Sequence, residues 1–120
     1  MNNLLIATIL FLSGSITSMS NVTKVSLIKS ELFEVTLGSE LIKEKFVSAK
    51  YDIEEKKLSF VTIHNMHSIL IFNEEELEMV LPVMADRVSL GESMFVSGNY
   101  KLGFNFKDEP EITYADMVMK

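Results

Sequence analysis

Residues 58–72 read LSFVTIHNMHSILIF. Two apolar runs flank the tetrapeptide His64-Asn65-Met66-His67, in which three of the four residues are polar. Both runs are rich in β-branched and aromatic residues, as is typical of central strands that are buried on both faces. The tetrapeptide predicts a hairpin loop, although it lacks the Asn-Gly dipeptide of the tightest hairpins. The stretch therefore predicts two central strands of an antiparallel sheet.

Alternation of apolar and polar residues predicts further strands before this stretch. It is found at residues 25–27 and 33–37, where Gly38 closes the second run, and again at residues 47–53. A period of two is the mark of a strand with one face buried and the other in water. These segments therefore extend the sheet towards the N-terminus.

Strand signals return after Gly91. Residues 94–96 and 100–106 flank Ser97-Gly98-Asn99, a tripeptide that predicts a tight turn, so the two runs form a C-terminal hairpin. The tail predicts one more short strand, at the sheet edge, around residues 112–114.

One helix is predicted to begin at Asn73. Asn73 is a good N-cap, Glu76 follows at the capping-box position, and residues 74–76 place three glutamates in the first turn, where negative charge meets the positive end of the helix dipole. Pro82 predicts a kink or an end of the helix. The apolar stripe of this helix comprises Leu77, Val80, Leu81, Met84 and Val88.

Together these elements predict an α+β fold. We expect an antiparallel β-meander sheet of about five to seven strands, one main amphipathic helix packed on it, and a C-terminal hairpin. No repeat or linker interrupts residues 21–120, so they are expected to form a single β-rich globular domain.

Residues 1–20 differ from the rest of the chain, because they are hydrophobic and carry no charged side chain. The run LLIATILFL at residues 4–12 is followed by small and polar residues, and Ser18-Met19-Ser20 has the spacing of a cleavage site. This pattern predicts a signal peptide or, if it is not cleaved, a hydrophobic anchor. Signal peptides usually carry a basic residue before the apolar run, and this one has none. Two alternatives are a hydrophobic helix of the domain and a cytosolic protein that starts at Met19.

Composition narrows the classes of function. The net charge of −6 lies entirely after residue 23, which disfavours general binding to nucleic acid or to anionic membranes. Cysteine is absent, so disulfides and thiolate metal sites are excluded. Neither a serine-nucleophile elbow nor a glycine-rich phosphate loop occurs. We therefore expect no catalytic residues and no cofactor.

His64 and His67 are the only two histidines and form a weak candidate metal site. If residues 65 and 66 formed a turn, the two rings would face each other across a hairpin, with Glu74 or Glu75 as possible further ligands. Two imidazoles are too few for a site, and the glutamates are already explained by the helix start. An exposed polar loop is therefore the preferred interpretation.

The alternative nucleic-acid site lies between residues 43 and 57. Lysines there are interleaved with aromatic residues, an arrangement that suits stacked bases beside a phosphate backbone. Four acids reduce the net charge of the segment to +1, and strand parity predicts that its two aromatic rings face opposite sides. The candidate residues are Lys43, Lys45, Phe46, Lys50 and Tyr51.

The functional hypothesis that remains is a small non-enzymatic protein-binding domain of accessory, inhibitor or immunity-like type. It would work in the periplasm or outside the cell if residues 1–20 are a signal peptide, and would touch a membrane only through those residues if they are not cleaved. Edge strands and the acidic helix face are the expected contact surfaces. The alternative is a cytoplasmic, virus- or plasmid-borne accessory protein starting at Met19 that binds single-stranded nucleic acid or a host protein. The sequence leaves the identity of the protein partner and the oligomeric state open.

Overall fold

The computed structural model describes residues 23–120, and these form seven strands, one α-helix and one short 3-10 helix. The strands are β1 (Lys24–Lys29), β2 (Phe33–Gly38), β3 (Phe46–Asp52), β4 (Lys57–Asn73), β5 (Glu76–Gly91), β6 (Gly98–Phe106) and β7 (Thr113–Met119). Helix α1 (Ser39–Lys45) follows β2, and the 3-10 helix (Glu92–Met94) follows β5. The predicted signal peptide or anchor at residues 1–20, with the alternative start at Met19, lies outside the described residues.

All strand pairs within residues 23–120 are antiparallel and belong to one sheet. The strand order is β1–β2–β7–β6–β4–β3, and β5 pairs along β4. The prediction of a β-rich α+β domain with an antiparallel sheet is confirmed. The order is not that of a simple meander, because β7 lies between β2 and β6.

The predicted hairpin loop at residues 64–67 is wrong, because the two apolar runs belong to one strand, β4. The register of β4 against both β5 and β6 shifts between Met66 and Ser68, so β4 bends there without ending. Met66 is fully buried. The Lys107 N–H donates a hydrogen bond to the Asn65 carbonyl oxygen over 3.0 Å, which satisfies a backbone group at the bend.

The predicted helix from Asn73 is also wrong, because residues 76–91 form strand β5. Asn73 pairs with Glu76 across a two-residue turn whose residues, Glu74 and Glu75, have φ angles of 49° and 76°. Two consecutive positive φ angles define the type I′ turn, which matches the twist of the strands that it joins. The acids that resemble a helix start therefore occupy a hairpin.

The apolar residues of β5 fit a strand as well as a helix, since Leu77, Met79, Leu81 and Val83 alternate along the chain. Pairing along β4 decides between the two patterns. Pro82 agrees with this result, because an edge strand tolerates a proline that a helix interior does not.

The C-terminal region differs from the predicted hairpin. Residues 94–96 are not a strand, and the predicted turn at residues 97–99 is wrong because Gly98 already belongs to β6. Tyr100 holds the preceding loop: its hydroxyl donates to the Val96 carbonyl oxygen and accepts from the Val96 N–H, each over 3.0 Å. The tail is not a short edge strand either, because β7 pairs with β2 on one side and with β6 on the other.

The core contains aromatic rings from β2, β3, β4 and β6 that pack against one another. The Phe46 ring of β3 lies 5.0 Å from that of Phe104 on β6, and the Tyr51 ring lies 5.2 Å from that of Phe33 on β2. Phe60 completes the cluster, with its ring 5.3 Å from that of Phe104. Edge-to-face packing of this kind adds to the stability gained by burying the rings.

Replacing the turn residues with Asn and Gly tests the hairpin directly. Because Asn and Gly adopt positive φ with little strain, Glu74→Asn/Glu75→Gly should raise the free energy of unfolding by about 1 kcal/mol, measured by urea denaturation. If these residues began a helix, the glycine would instead lower it by about 1 kcal/mol. Glu55→Asn, in another exposed turn, serves as the control.

The aromatic cluster predicts a large loss of stability on truncation. Phe104→Ala should lower the free energy of unfolding by about 3–5 kcal/mol, because the cavity would lie between two other rings. Val96→Ala, at a side chain that is 70% exposed, should change it by less than about 0.5 kcal/mol. Similar urea midpoints for the two variants would contradict this description of the core.

Candidate protein-binding surface

A row of side chains crosses four strands on the outer face of the sheet. Register pairs Val80 of β5 with Leu70 of β4, Leu70 with Gly103 of β6, and Gly103 with Tyr114 of β7. Residues paired across antiparallel strands project to the same face. A Cβ atom at Gly103 would lie 3.1 Å from Ile112 Cγ2 and 3.2 Å from Tyr114 Cε1, so glycine lets the tyrosine ring pack down on the sheet.

A second row runs beside the first. Leu77 of β5 pairs with Phe72 of β4, Phe72 with Lys101 of β6, and Lys101 with Asp116 of β7. The two rows meet at Phe72 and Tyr114, whose ring centroids are 6.0 Å apart at an interplanar angle of 58°. The second row therefore changes from apolar side chains on β5 and β4 to charged side chains on β6 and β7.

The apolar part of these rows is accessible to a partner. Leu77 is 53%, Val80 49% and Tyr114 45% exposed. Single exposed apolar residues are ordinary on a protein surface, but these three lie on one continuous face. We call this surface the hairpin face. It comprises Leu70, Phe72, Leu77, Val80, Ile112 and Tyr114.

A shallow cleft of about 330 Å³ lies at the junction of the two rows. Its walls are the rings of Phe72 and Tyr114 with the side chains of Glu75 and Lys101. The Lys101 Nζ lies 5.8 Å from the centroid of the Tyr114 ring, a cation–π distance. The volume is at the small end of the range for ligand pockets, about 300–1,000 Å³.

Negative charge surrounds the end of the hairpin next to this cleft. The type I′ turn and the first residues of β5 bring four exposed glutamates together, and we call this group the acidic tip. It consists of Glu74, Glu75, Glu76 and Glu78. The ion pairs found within residues 23–120 involve none of these carboxylates. The acids expected on a helix face are thus concentrated beside an apolar surface.

Strand β5 is an edge strand, because within residues 23–120 it pairs only with β4. Its ladder is interrupted, since Pro82 has no N–H and Met84 has a φ of 53° beside a register shift. Proline and bulges protect edges against the addition of another strand. The hairpin face, rather than the backbone edge, is therefore the better contact surface.

The two histidines lie apart from this surface, on the bend of β4. Both His64 and His67 are exposed, and neither lies in a hairpin loop, so the expected arrangement of facing rings does not occur. In the part of the chain that the structure describes, no three His, Asp or Glu side chains are grouped as a metal site requires.

The aromatic residues of the candidate nucleic-acid site both contribute to the core. A register shift between Phe46 and Ser48 places the Phe46 ring on the same side as that of Tyr51, so the prediction of opposite faces is wrong. Phe46 is buried and its ring is not available for stacking. Tyr51 packs on Phe33, and its hydroxyl donates a hydrogen bond to the Glu92 carboxylate.

The lysines of that site are dispersed. Lys45 ends α1, where its Nζ lies 2.5 Å from a Glu109 carboxylate oxygen and 5.5 Å from the Phe106 ring centroid. Lys43, on α1, and Lys50, on β3, are exposed. The five candidate residues therefore do not form one continuous basic and aromatic surface.

The hairpin face was not identified from the sequence. Tyr114 and Phe72 are distant in the chain, and only the pairing of β6 with both β4 and β7 brings them together. The readable signal was the nearly continuous apolar run from Leu77 to Met84, which indicates a strand with apolar side chains on both faces, together with Pro82, which indicates an edge strand.

No protein-family model, curated protein or solved structure matches this chain. Among the described residues, no helix has the length and apolar character needed to cross a membrane. The geometry and charge of the hairpin face therefore carry the functional proposal.

The hydrogen bond between Tyr51 and Glu92 makes a prediction about pH. The bond to the carboxylate, followed by desolvation and the negative charge of Glu92, raises the pKa of the Tyr51 phenol. Glu92→Gln should therefore lower the pKa of Tyr51 towards the ordinary tyrosine value, as followed by NMR titration. Glu111→Gln, at an exposed carboxylate elsewhere, should leave it unchanged.

The same shift affects stability at high pH. A raised pKa in the folded state stabilises the fold below the ordinary tyrosine pKa, and that contribution is lost as pH rises through the higher folded value. The wild-type free energy of unfolding should thus fall more steeply with alkaline pH than that of Glu92→Gln. Parallel profiles would contradict the role of this bond.

Proposed function

We propose that this chain is a small, non-enzymatic protein-binding domain that contacts another protein through the hairpin face. The observation that carries the proposal is the continuity of the face: two paired rows place exposed Leu77, Val80 and Tyr114 on one surface. A contiguous apolar area rimmed by charge is characteristic of protein interaction sites.

The composition of the face supports a protein partner over a small molecule. Aromatic residues such as Tyr114 and Phe72 contribute large contact areas at low entropic cost and dominate many interfaces. The cleft beside their rings is shallow, and the exposed apolar residues of the hairpin face extend beyond it, as contact with a larger surface requires. Accessory proteins, inhibitors and immunity-like proteins all act by such contacts.

We also propose that the protein acts outside the cytoplasm, in the periplasm or beyond the cell. The support is the charge-free hydrophobic run at residues 4–12 with a cleavage-like site at residues 18–20. Mass spectrometry of the native N-terminus tests this proposal. A mature chain that begins at Asn21 is expected, whereas Met19 or Ser20 at the front of a cytoplasmic protein would contradict export.

Site-specific crosslinking tests the contact surface. With the photoreactive residue p-benzoylphenylalanine at Val80 in the full chain, illumination of cells of the native host should produce one discrete protein adduct. The same residue at Val96, which is exposed on a loop, should not produce it. Equal adducts at both positions, or none at Val80, would contradict the proposal.

A second substitution connects the adduct with the aromatic residues. Tyr114→Ala should reduce the Val80 adduct by about tenfold or more, because truncating a central interface aromatic costs about 2 kcal/mol or more. Val118→Ala, at another exposed position of β7, should leave it unchanged. Urea denaturation of both variants shows whether the fold is intact.

A further inference from the structure

We infer that the partner of the hairpin face is a basic segment of a different protein, which places an apolar side chain in the cleft beside the contacting rings of Phe72 and Tyr114 and sets lysines or arginines against the acidic tip. This inference rests on the proposed function, because it specifies the chemistry of the partner at that same surface. The aromatic residues at the cleft indicate that the partner contributes an apolar side chain. The surrounding glutamates indicate that the partner is basic.

The charge beside the cleft is strongly one-sided. Asp116 is paired, since its carboxylate oxygen lies 2.5 Å from the Lys24 Nζ. The four glutamates of the acidic tip and Lys101, the cation on the wall of the cleft, then sum to a formal charge of −3. Within residues 23–120, one of these carboxylates takes part in a side-chain hydrogen bond: Asn73 Nδ2 donates to Glu78 over 3.2 Å. A basic segment supplies the missing counter-charge, which steers the encounter and selects the partner.

The same charge disfavours a second copy as the occupant. Two hairpin faces in contact would bring eight tip glutamates together with two Lys101 ammonium groups, and like charges at an interface oppose association. The interrupted edge of β5 also disfavours pairing of two sheets through their backbones. A heterologous basic partner meets neither obstacle.

The geometry of the aromatic pair agrees with this partner. The Lys101 ammonium already lies 5.8 Å from the Tyr114 ring centroid, at a distance where an aromatic face attracts a cation. Glu75 lies on the wall of the same cleft. The Glu78 carboxylate accepts a hydrogen bond from Asn73, the residue that follows Phe72. An apolar side chain in the cleft would therefore bring its flanking cations towards Glu75 and Glu78.

Two synthetic peptides test the inference with the full chain. One alternates lysine with valine and phenylalanine, and the other has glutamate at every lysine position. In NMR titrations of the ¹⁵N-labelled protein, the basic peptide should shift the amide signals of Phe72, Leu77 and Tyr114. Its affinity should fall on the order of tenfold from low to high salt, because screening weakens exposed ion pairs. The acidic peptide should produce no shifts.

Charge reversal supplies the matched comparison. Glu75→Lys/Glu78→Lys should weaken the basic peptide by at least about tenfold. Glu54→Lys/Glu55→Lys changes the net charge by the same amount in an exposed turn outside the hairpin face, and should have little effect. Equal binding of the two peptides, or an unchanged affinity in Glu75→Lys/Glu78→Lys, would overturn the inference. Concentration-dependent self-association through these residues would overturn it in favour of a second copy.

The crosslinked adduct separates the two proposals. If the Val80 adduct forms in wild-type cells and persists in Glu75→Lys/Glu78→Lys, the protein-binding function holds and the basic partner is wrong. If no Val80 adduct forms in the wild type, the proposed function itself fails, whatever the peptides do.

Discussion

The bend of β4 at Met66 and Ser68 allows one strand to pair with β3 along its first half and with β6 along its second, while β5 follows both halves. Because β3 and β6 both meet this strand, the Phe46 and Phe104 rings come together and close the core. The register shift at the bend determines which side chains face outward on either side of it.

The predictions succeeded where local pattern and tertiary pairing agree. Residues 33–37 alternate and lie in β2, with Phe33, Val35 and Leu37 buried. They failed at residues 73–88, where capping residues and an apolar stripe indicate a helix. The pairing of β5 with β4 outweighs that preference, which is worth only a few tenths of a kcal/mol per residue. Helix α1 was missed because its seven residues are too few for a periodic signal.

The candidate surface was harder to predict than the fold. It depends on which strands pair and in what register, whereas the fold class depends only on which segments form strands. Tyr114 was predicted to lie on a short edge strand, but β7 is an interior strand and Gly103 pairs with Tyr114. Only this register places the tyrosine ring against the backbone of a glycine and beside Phe72. The His64 and His67 hypothesis shows the same dependence, because its geometry required a loop that the bend of β4 replaces.

An exposed apolar face beside an edge strand invites self-association, so a chain that keeps such a face needs features that oppose it. Pro82 and the bulge at Met84 interrupt the backbone of the edge, and the acidic tip adds repulsion between identical faces. The interrupted edge disfavours the addition of any strand, whereas the repulsion acts only between like-charged surfaces. The basic partner that we propose would be attracted by the same glutamates and would not need the backbone edge, so one set of residues would both oppose self-association and select the partner.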